Sequence, residues 1–204
     1  KVNVGLRGTL FQQMGPYYRF VKDPLGNTSD TVKYEKGDVI AAYKNIEPRV
    51  ALRISLGKTA SFKAAYTQNY QYIHLATLSS ASLPTDLWVP STAKVKPQLA
   101  NQFAIGIAKD ILNKNATFSI ESYYKKSDRV VAYKDGASFL NIDVLNENDE
   151  IVWDDNLTAG QGWSYGTEFL LQRSKGPFSG WIGYTLSWTQ LQFDEINFGK
   201  KYFA

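Results

Sequence analysis

The sequence predicts an all-β fold: a segment of an antiparallel transmembrane β-barrel, with about seven long strands, short periplasmic turns and long extracellular loops. Three observations predict it. Apolar and polar residues alternate with a period of two in seven separate stretches. The stretches supply the roughly 9–11 residues that a tilted strand needs to cross a bilayer. The connections between them alternate strictly between short and long.

The first strand lies in VNVGLRGTLF, where Val2, Val4, Leu6 and Leu10 share a face. Residues 47–71, EPRVALRISLGKTASFKAAYTQNYQ, hold the second and third. Val50, Leu52, Ile54 and Leu56 oppose Arg49, Arg53 and Ser55; then Phe62, Ala64, Tyr66, Tyr70 and Tyr72 oppose Lys63, Thr67, Asn69 and Gln71. In NQFAIGIAKDI, Phe103, Ile105, Ile107 and Ile111 oppose Gln102, Ala104, Gly106, Ala108 and Asp110. In TFSIESYYKK, Phe118, Ile120 and Tyr124 oppose Ser119, Glu121, Tyr123 and Lys125. In WSYGTEFLLQR, Trp163, Tyr165, Phe169 and Leu171 oppose Gly166, Glu168 and Gln172. In WIGYTLSWTQ, Ile182, Tyr184, Leu186 and Trp188 are set against Gly183, Thr185, Ser187 and Gln190.

Short connections fall near Gly57–Ala60, Leu112–Asn115 and Ser174–Ser179, each with turn residues. Long ones fall at roughly 12–46, 75–97 and 136–160. Loops of that length on one side only describe a sheet with one plain and one elaborated end. Aromatics gather near strand ends: Tyr70, Tyr72, Trp163 and Tyr165 at the outer end, and Phe62, Phe118 and Trp181 at the periplasmic one. In a membrane barrel the apolar face meets lipid, so Arg49, Arg53, Lys63, Glu121, Lys125 and Glu168 would point into the lumen. A soluble sandwich would reverse that sense.

Composition excludes several classes. With 44% hydrophobic and 21% charged residues the chain is not disordered. A net charge of +4 without a clustered basic stripe does not point to nucleic acid. No cysteine is present, which excludes thiolate chemistry and disulfides. No apolar run reaches the roughly 18 residues of a membrane helix, a criterion that does not apply to barrel strands.

Catalysis is not expected. The one histidine, His74, falls at the predicted outer end of a strand and reads as a surface or interfacial residue. Its pairing with Ser79 rests on spacing alone, and no phosphate-binding glycine loop occurs. The acidic stretch with Asp143, Glu147, Asp149, Glu150, Asp154 and Asp155 lacks the calcium-loop pattern and reads as a solvated loop, not a metal site. Tyr17, Tyr18, Trp88 and Trp153, in the long loops, are the candidates for gripping a ligand.

PRVALRISL, a tight turn and SFKAAYTQNYQYIHL resemble TonB-dependent outer-membrane receptors, the active transporters of Gram-negative bacteria. The runs SLPTDLWVPSTAKVKPQLANQFAIGIAKDI, SIESYYKKSDRVVAYKDGA and GWSYGTEFLLQRSKGPFSGWIGYTLSWTQ resemble the Bacteroidota branch of that family, in order and spacing. The resemblance implies a barrel of about 22 strands with a plugged lumen. It implies active uptake of a scarce nutrient, such as an iron chelate, cobalamin, a glycan or a peptide, with no cofactor. The implied partners are outer-membrane lipid, the rest of the barrel and its plug, the TonB complex, the nutrient and a surface lipoprotein. Residues 1–204 would then form part of a single barrel domain, without the plug and without the closing C-terminal strand, in an incomplete barrel. Two alternatives stand beside this reading: a passive or structural outer-membrane barrel, and a soluble all-β carbohydrate-binding module.

Overall fold

The structure is a computed structural model, and the residues described are 1–23, 28–76, 87–112, 115–134 and 156–204. Seven long strands make up one antiparallel sheet. They are β1 (Val2–Met14), β4 (Val39–Leu56), β5 (Ala60–Gln71), β8 (Gln98–Ile111), β9 (Ala116–Tyr133), β10 (Leu157–Arg173) and β11 (Gly180–Gln192). Two small hairpins lie between them: β2 (Tyr17–Lys22) with β3 (Thr28–Tyr34), and β6 (Ile73–Ala76) with β7 (Leu87–Pro90). After a short turn of 3-10 helix at Asn197–Gly199, the two-residue β12 (Tyr202–Phe203) pairs with Gln190 and Leu191 of β11. The sheet therefore has eight strands in the order β1-β4-β5-β8-β9-β10-β11-β12, and it is open. The final segment turns back onto β11.

The alternation extends further along the chain than the sequence reading placed it. The seven strands run from 12 residues in β5 to 18 in β4 and β9. The first and third long connections are correspondingly shorter, spanning 15–38 and 134–156, while the second spans 72–97 because β5 ends at Gln71; the first two contain a hairpin. Both ends of the β1–β4 connection are strand because Phe11, Gln12 and Gln13 find partners in Tyr43, Ala42 and Ala41. That pairing cannot be read from either segment alone. The acidic stretch 141–155, with Trp153, and Ser79 lie outside the described residues.

Register brings the two faces into rows. On the apolar face, Val50, Tyr66, Phe103, Tyr124, Tyr165 and Trp188 are successive cross-strand partners from β4 to β11. Five of the six are aromatic. The Tyr66 and Phe103 rings lie 4.8 Å apart and those of Tyr165 and Trp188 5.7 Å apart, distances at which aromatic pairs attract. Two rows nearer the short turns come Ile54, Phe62, Ile107, Ile120, Phe169 and Tyr184. The aromatic row lies six residues from the turn end of β5 but eight from that of β8, β9, β10 and β11, so the sheet is staggered.

Both faces of the long strands lie open. Ile105 and Ile107 are 57% and 52% exposed on the apolar face, and Arg53, Lys63, Glu121 and Glu168 are exposed on the other, where Glu121 covers Gly106. The buried core is small and sits at the loop end, where Ala76, Val89, Val95, Tyr133 and Leu157 cluster beneath the β6–β7 hairpin. Among the described residues no second layer covers the apolar face of the long strands.

Candidate functional site

The polar face is the candidate site, and its charges fall into register. Arg53, Lys63, Gly106, Glu121, Glu168 and Thr185 are successive cross-strand partners. Two cations thus stand on β4 and β5, and two carboxylates on β9 and β10, with a glycine between them. Lys63 Nζ reaches Glu121 Oε1 at 3.3 Å across that glycine. A Cβ on Gly106 would stand 2.8 Å from Glu121 Cγ, so the missing side chain is what leaves room for the crossing. Both partners are about half exposed, so the pair contributes on the order of 0.2–1 kcal/mol.

Arg49 stands one charged row nearer the loops, with Gly5, Thr67, Gln102, Lys125 and Ser164 as its row. A Cβ on Gly5 would meet Arg49 Cγ at 2.9 Å, so the arginine stem lies over the β1 backbone. Between the two charged rows run Ala51, Ala65, Ala104, Tyr123, Gly166 and Ser187, mostly small residues. Arg49, Arg53 and Glu168 are exposed and hold no side-chain ion pair among the described residues. Arg49, Arg53, Lys63, Glu121, Lys125 and Glu168 therefore share one face. In the Arg53 row cations stand on β4 and β5 and carboxylates on β9 and β10; one charged row nearer the loops, Arg49 on β4 and Lys125 on β9 are both cations.

Nearer the loops the same face carries an ion pair that sequence reasoning missed. Arg7 and Glu47 are direct cross-strand partners on β1 and β4. The Arg7 guanidinium donates to Glu47, whose carboxylate is fully buried while Arg7 is half exposed. The other Glu47 oxygen accepts the Tyr70 backbone N–H at 2.9 Å. Strand pairing of β4 with β5 stops at Arg49 and Thr67, so the carboxylate satisfies an amide left where the two strands part. Spacing alone gives no sign of this, because it depends on the β1–β4 register.

The loop residues are dispersed. Tyr18, on β2, is 53% exposed and Trp88, on β7, 65% exposed; nothing brings the two together. Tyr17 lies beside Tyr18 on β2, with Tyr34 as its cross-strand partner.

His74 differs from its expected surface position. It is 2% exposed, and its Nε2 lies 3.1 Å from Ser91 Oγ, which is itself buried. Its Nδ1 meets no partner among the described residues. A base beside a hydroxyl is the start of a nucleophilic pair, but among the described residues no carboxylate orients this ring, and both side chains are buried. It ties β6 to the residue after β7, whose N–H also donates to Tyr72 O at 2.7 Å. Burial pushes the imidazole pKa below its ordinary value and keeps the ring neutral.

Three aromatic and polar placements also differ. Tyr72 was expected at the outer interface of the apolar face, but β5 ends at Gln71 and Tyr72 stacks on Phe11 at 5.1 Å. Its hydroxyl accepts from Asn45 Nδ2 at 3.0 Å, on the polar side. Trp181 has Gln172 as its partner and so belongs to the polar face, while Gln190 faces with Trp188. Trp163 lies one row beyond the aromatic row, with Lys201 Nζ 3.8 Å above its ring.

No family model, curated protein or solved structure matches this chain.

Proposed function

We propose that this chain is wall of a TonB-dependent outer-membrane receptor of the Bacteroidota type, which takes up a scarce nutrient actively. The observation that carries the reading is the single-layer sheet of 12–18-residue strands whose apolar face lies bare while charged and small residues gather on the other. A soluble sandwich buries its apolar side chains between two layers. A membrane barrel turns them to lipid and keeps the wetted residues inside. The aromatic row fits the boundary between lipid and headgroups. The stagger of that row against the turns is what closing a sheet of tilted strands demands.

In this reading β1 and β11 are joined to further strands, since unpaired backbone groups in hydrocarbon cost several kcal/mol each. The lumen then presents Arg53, Lys63, Glu121 and Glu168 to a plug or to solute, and the ligand meets the loop end, where Tyr18 and Trp88 are exposed. The resemblance in segment order and spacing supports the receptor over a passive pore; the wall geometry serves either.

Two measurements test the reading together. The native polypeptide carrying these residues, isolated from cell membranes, should have a mass several times 23.0 kDa. Cells lacking it should lose uptake of one iron chelate, cobalamin, glycan or peptide, and a protonophore should abolish that uptake in the parent strain. Uptake that persists unchanged with the protonophore would mean a passive barrel. A native mass near 23.0 kDa would refute the receptor.

A further inference from the structure

Outward positions between the aromatic row and the short turns carry only two charges, Lys109 on β8 and Arg173 on β10. Both are cations and both stand in the last rows before the turns, at which Lys58 and Lys175 also lie. No carboxylate shares that stretch of the face, between the aromatic row and the short turns, among the described residues. The other end differs, since Lys126 is neutralised there by Asp128 at 3.2 Å. One end of the apolar face is therefore basic and uncompensated.

Arg173 is already occupied. Its Nε donates to Lys175 O at 3.1 Å, and its guanidinium lies over Gly176. Lys109 is different: it is exposed and has no ion pair or hydrogen bond among the described residues. It closes the turn end of a notch of about 330 Å³ on the apolar face. Phe62, Ile105, Ile107, Phe118 and Ile120 form the walls, and Ser122, small between Ile120 and Tyr124, deepens it. The Ser122 hydroxyl is bound to Thr167 at 2.9 Å, so it offers the notch little polarity. β8 and β9 are paired on both edges, so further strands of a barrel would not fill this surface.

We propose that the notch holds an acyl chain of one anionic phospholipid whose phosphate rests on the Lys109 ammonium. The proposal rests on the reading that this face meets lipid. An apolar slot that ends in a lone cation matches the layout of such a lipid, with its chain toward the bilayer centre and its charge at the boundary. Lysine stems lie along apolar surface while the ammonium reaches toward water, and Lys109 stands two residues from the turn end of β8. A lysine near a membrane surface raises affinity for anionic lipid about fivefold.

The test is native mass spectrometry of the full polypeptide in detergent, titrated with phosphatidylglycerol or with phosphatidylcholine of the same chains. The wild type should retain phosphatidylglycerol in preference, and K109Q should lose about fivefold of that retention without change for phosphatidylcholine. S122F, which fills the notch, should lower retention of both lipids, and K63Q, on the opposite face, should change neither. Equal retention of the two lipids by the wild type, or an unaltered preference in K109Q, would overturn the proposal while leaving the membrane reading intact. So would a mass of two chains that lipid does not displace, since a second copy would then cover the notch. A polypeptide that stays monodisperse without detergent would instead remove the membrane reading and this site with it.

Discussion

An arginine scan along β8 tests the proposed membrane wall, its orientation and its depth, in one experiment, with depths taken in the proposed barrel. Phe103, in the aromatic row, and Ile111, at the turn, are eight residues apart in β8, with Ile107 midway. At about 3.4 Å per residue that is ~27 Å along the strand, and a tilt of about 40° reduces it to ~20 Å across the bilayer, close to the ~25 Å apolar band of such barrels. Ile107→Arg therefore places a guanidinium near the midplane, at a cost of about 2–4 kcal/mol. Ile105→Arg, nearer the aromatic row, should cost about half that, because the penalty falls toward the interfaces. Ala104→Arg, on the opposite face between Ala65 and Tyr123, should stay within about 1 kcal/mol. The assay is denaturant unfolding of the full polypeptide folded into vesicles, read as the free energy of each variant against wild type. Equal penalties at Ala104 and Ile107 would refute the assignment of faces, and a flat profile from Ile105 to Ile107 would refute the depth.

Other predictions concern single contacts. Arg7→Ala strands the buried Glu47 carboxylate and should cost more than Glu47→Gln, which keeps an acceptor for the Tyr70 N–H; we expect about 2–3 against about 1 kcal/mol in the same unfolding assay. Glu121 and Glu168 are direct cross-strand partners of like charge, so Glu168→Gln should raise stability by about 0.2–1 kcal/mol, a gain that salt diminishes. The neutral, buried His74 has a lowered pKa in the fold, so the opened hairpin binds more protons as pH falls through the ordinary histidine range. Its stabilisation is complete above that range and is lost below it. Protection factors of the β6 and β7 amides, which remove the intrinsic pH dependence of exchange, should therefore fall between pH 7.5 and 5, and a His74→Gln variant should lose most of that dependence.

Much of the sheet was legible because its signal is local. Parity alone put Ile54, Phe62, Ile107, Ile120 and Phe169 on one face, and pairing then made them one row. The rows themselves were not legible, since they depend on how long connections set one strand against the next. Arg7 reaches Glu47, and Lys63 reaches Glu121 over Gly106, only because of register. Tyr72 and His74 were misplaced for a related reason. The chain leaves the sheet after Gln71 and starts a separate hairpin, so the parity of β5 no longer governs them. Trp181 and Gln190 went wrong by parity itself, as their partners Gln172 and Trp163 make plain.

The two hairpins at the loop end are attached in different ways. β2 and β3 pair only with each other, beyond the point where Met14 and Val39 close the wall. The β6–β7 hairpin is keyed into the wall: Ala76 and Val89 pack with Tyr133 and Leu157, and the Tyr43 hydroxyl donates to Thr92 O at 2.5 Å just after β7. One is a cassette and the other a keystone. Sequence between Met14 and Val39 can be exchanged, lengthened or grafted without altering the register of any long strand. Changes between Tyr72 and Pro97 must carry their anchoring residues with them. On the proposed reading that a ligand meets the loop end, variation in specificity should thus accumulate in the first connection, and an engineer seeking a new one would begin there.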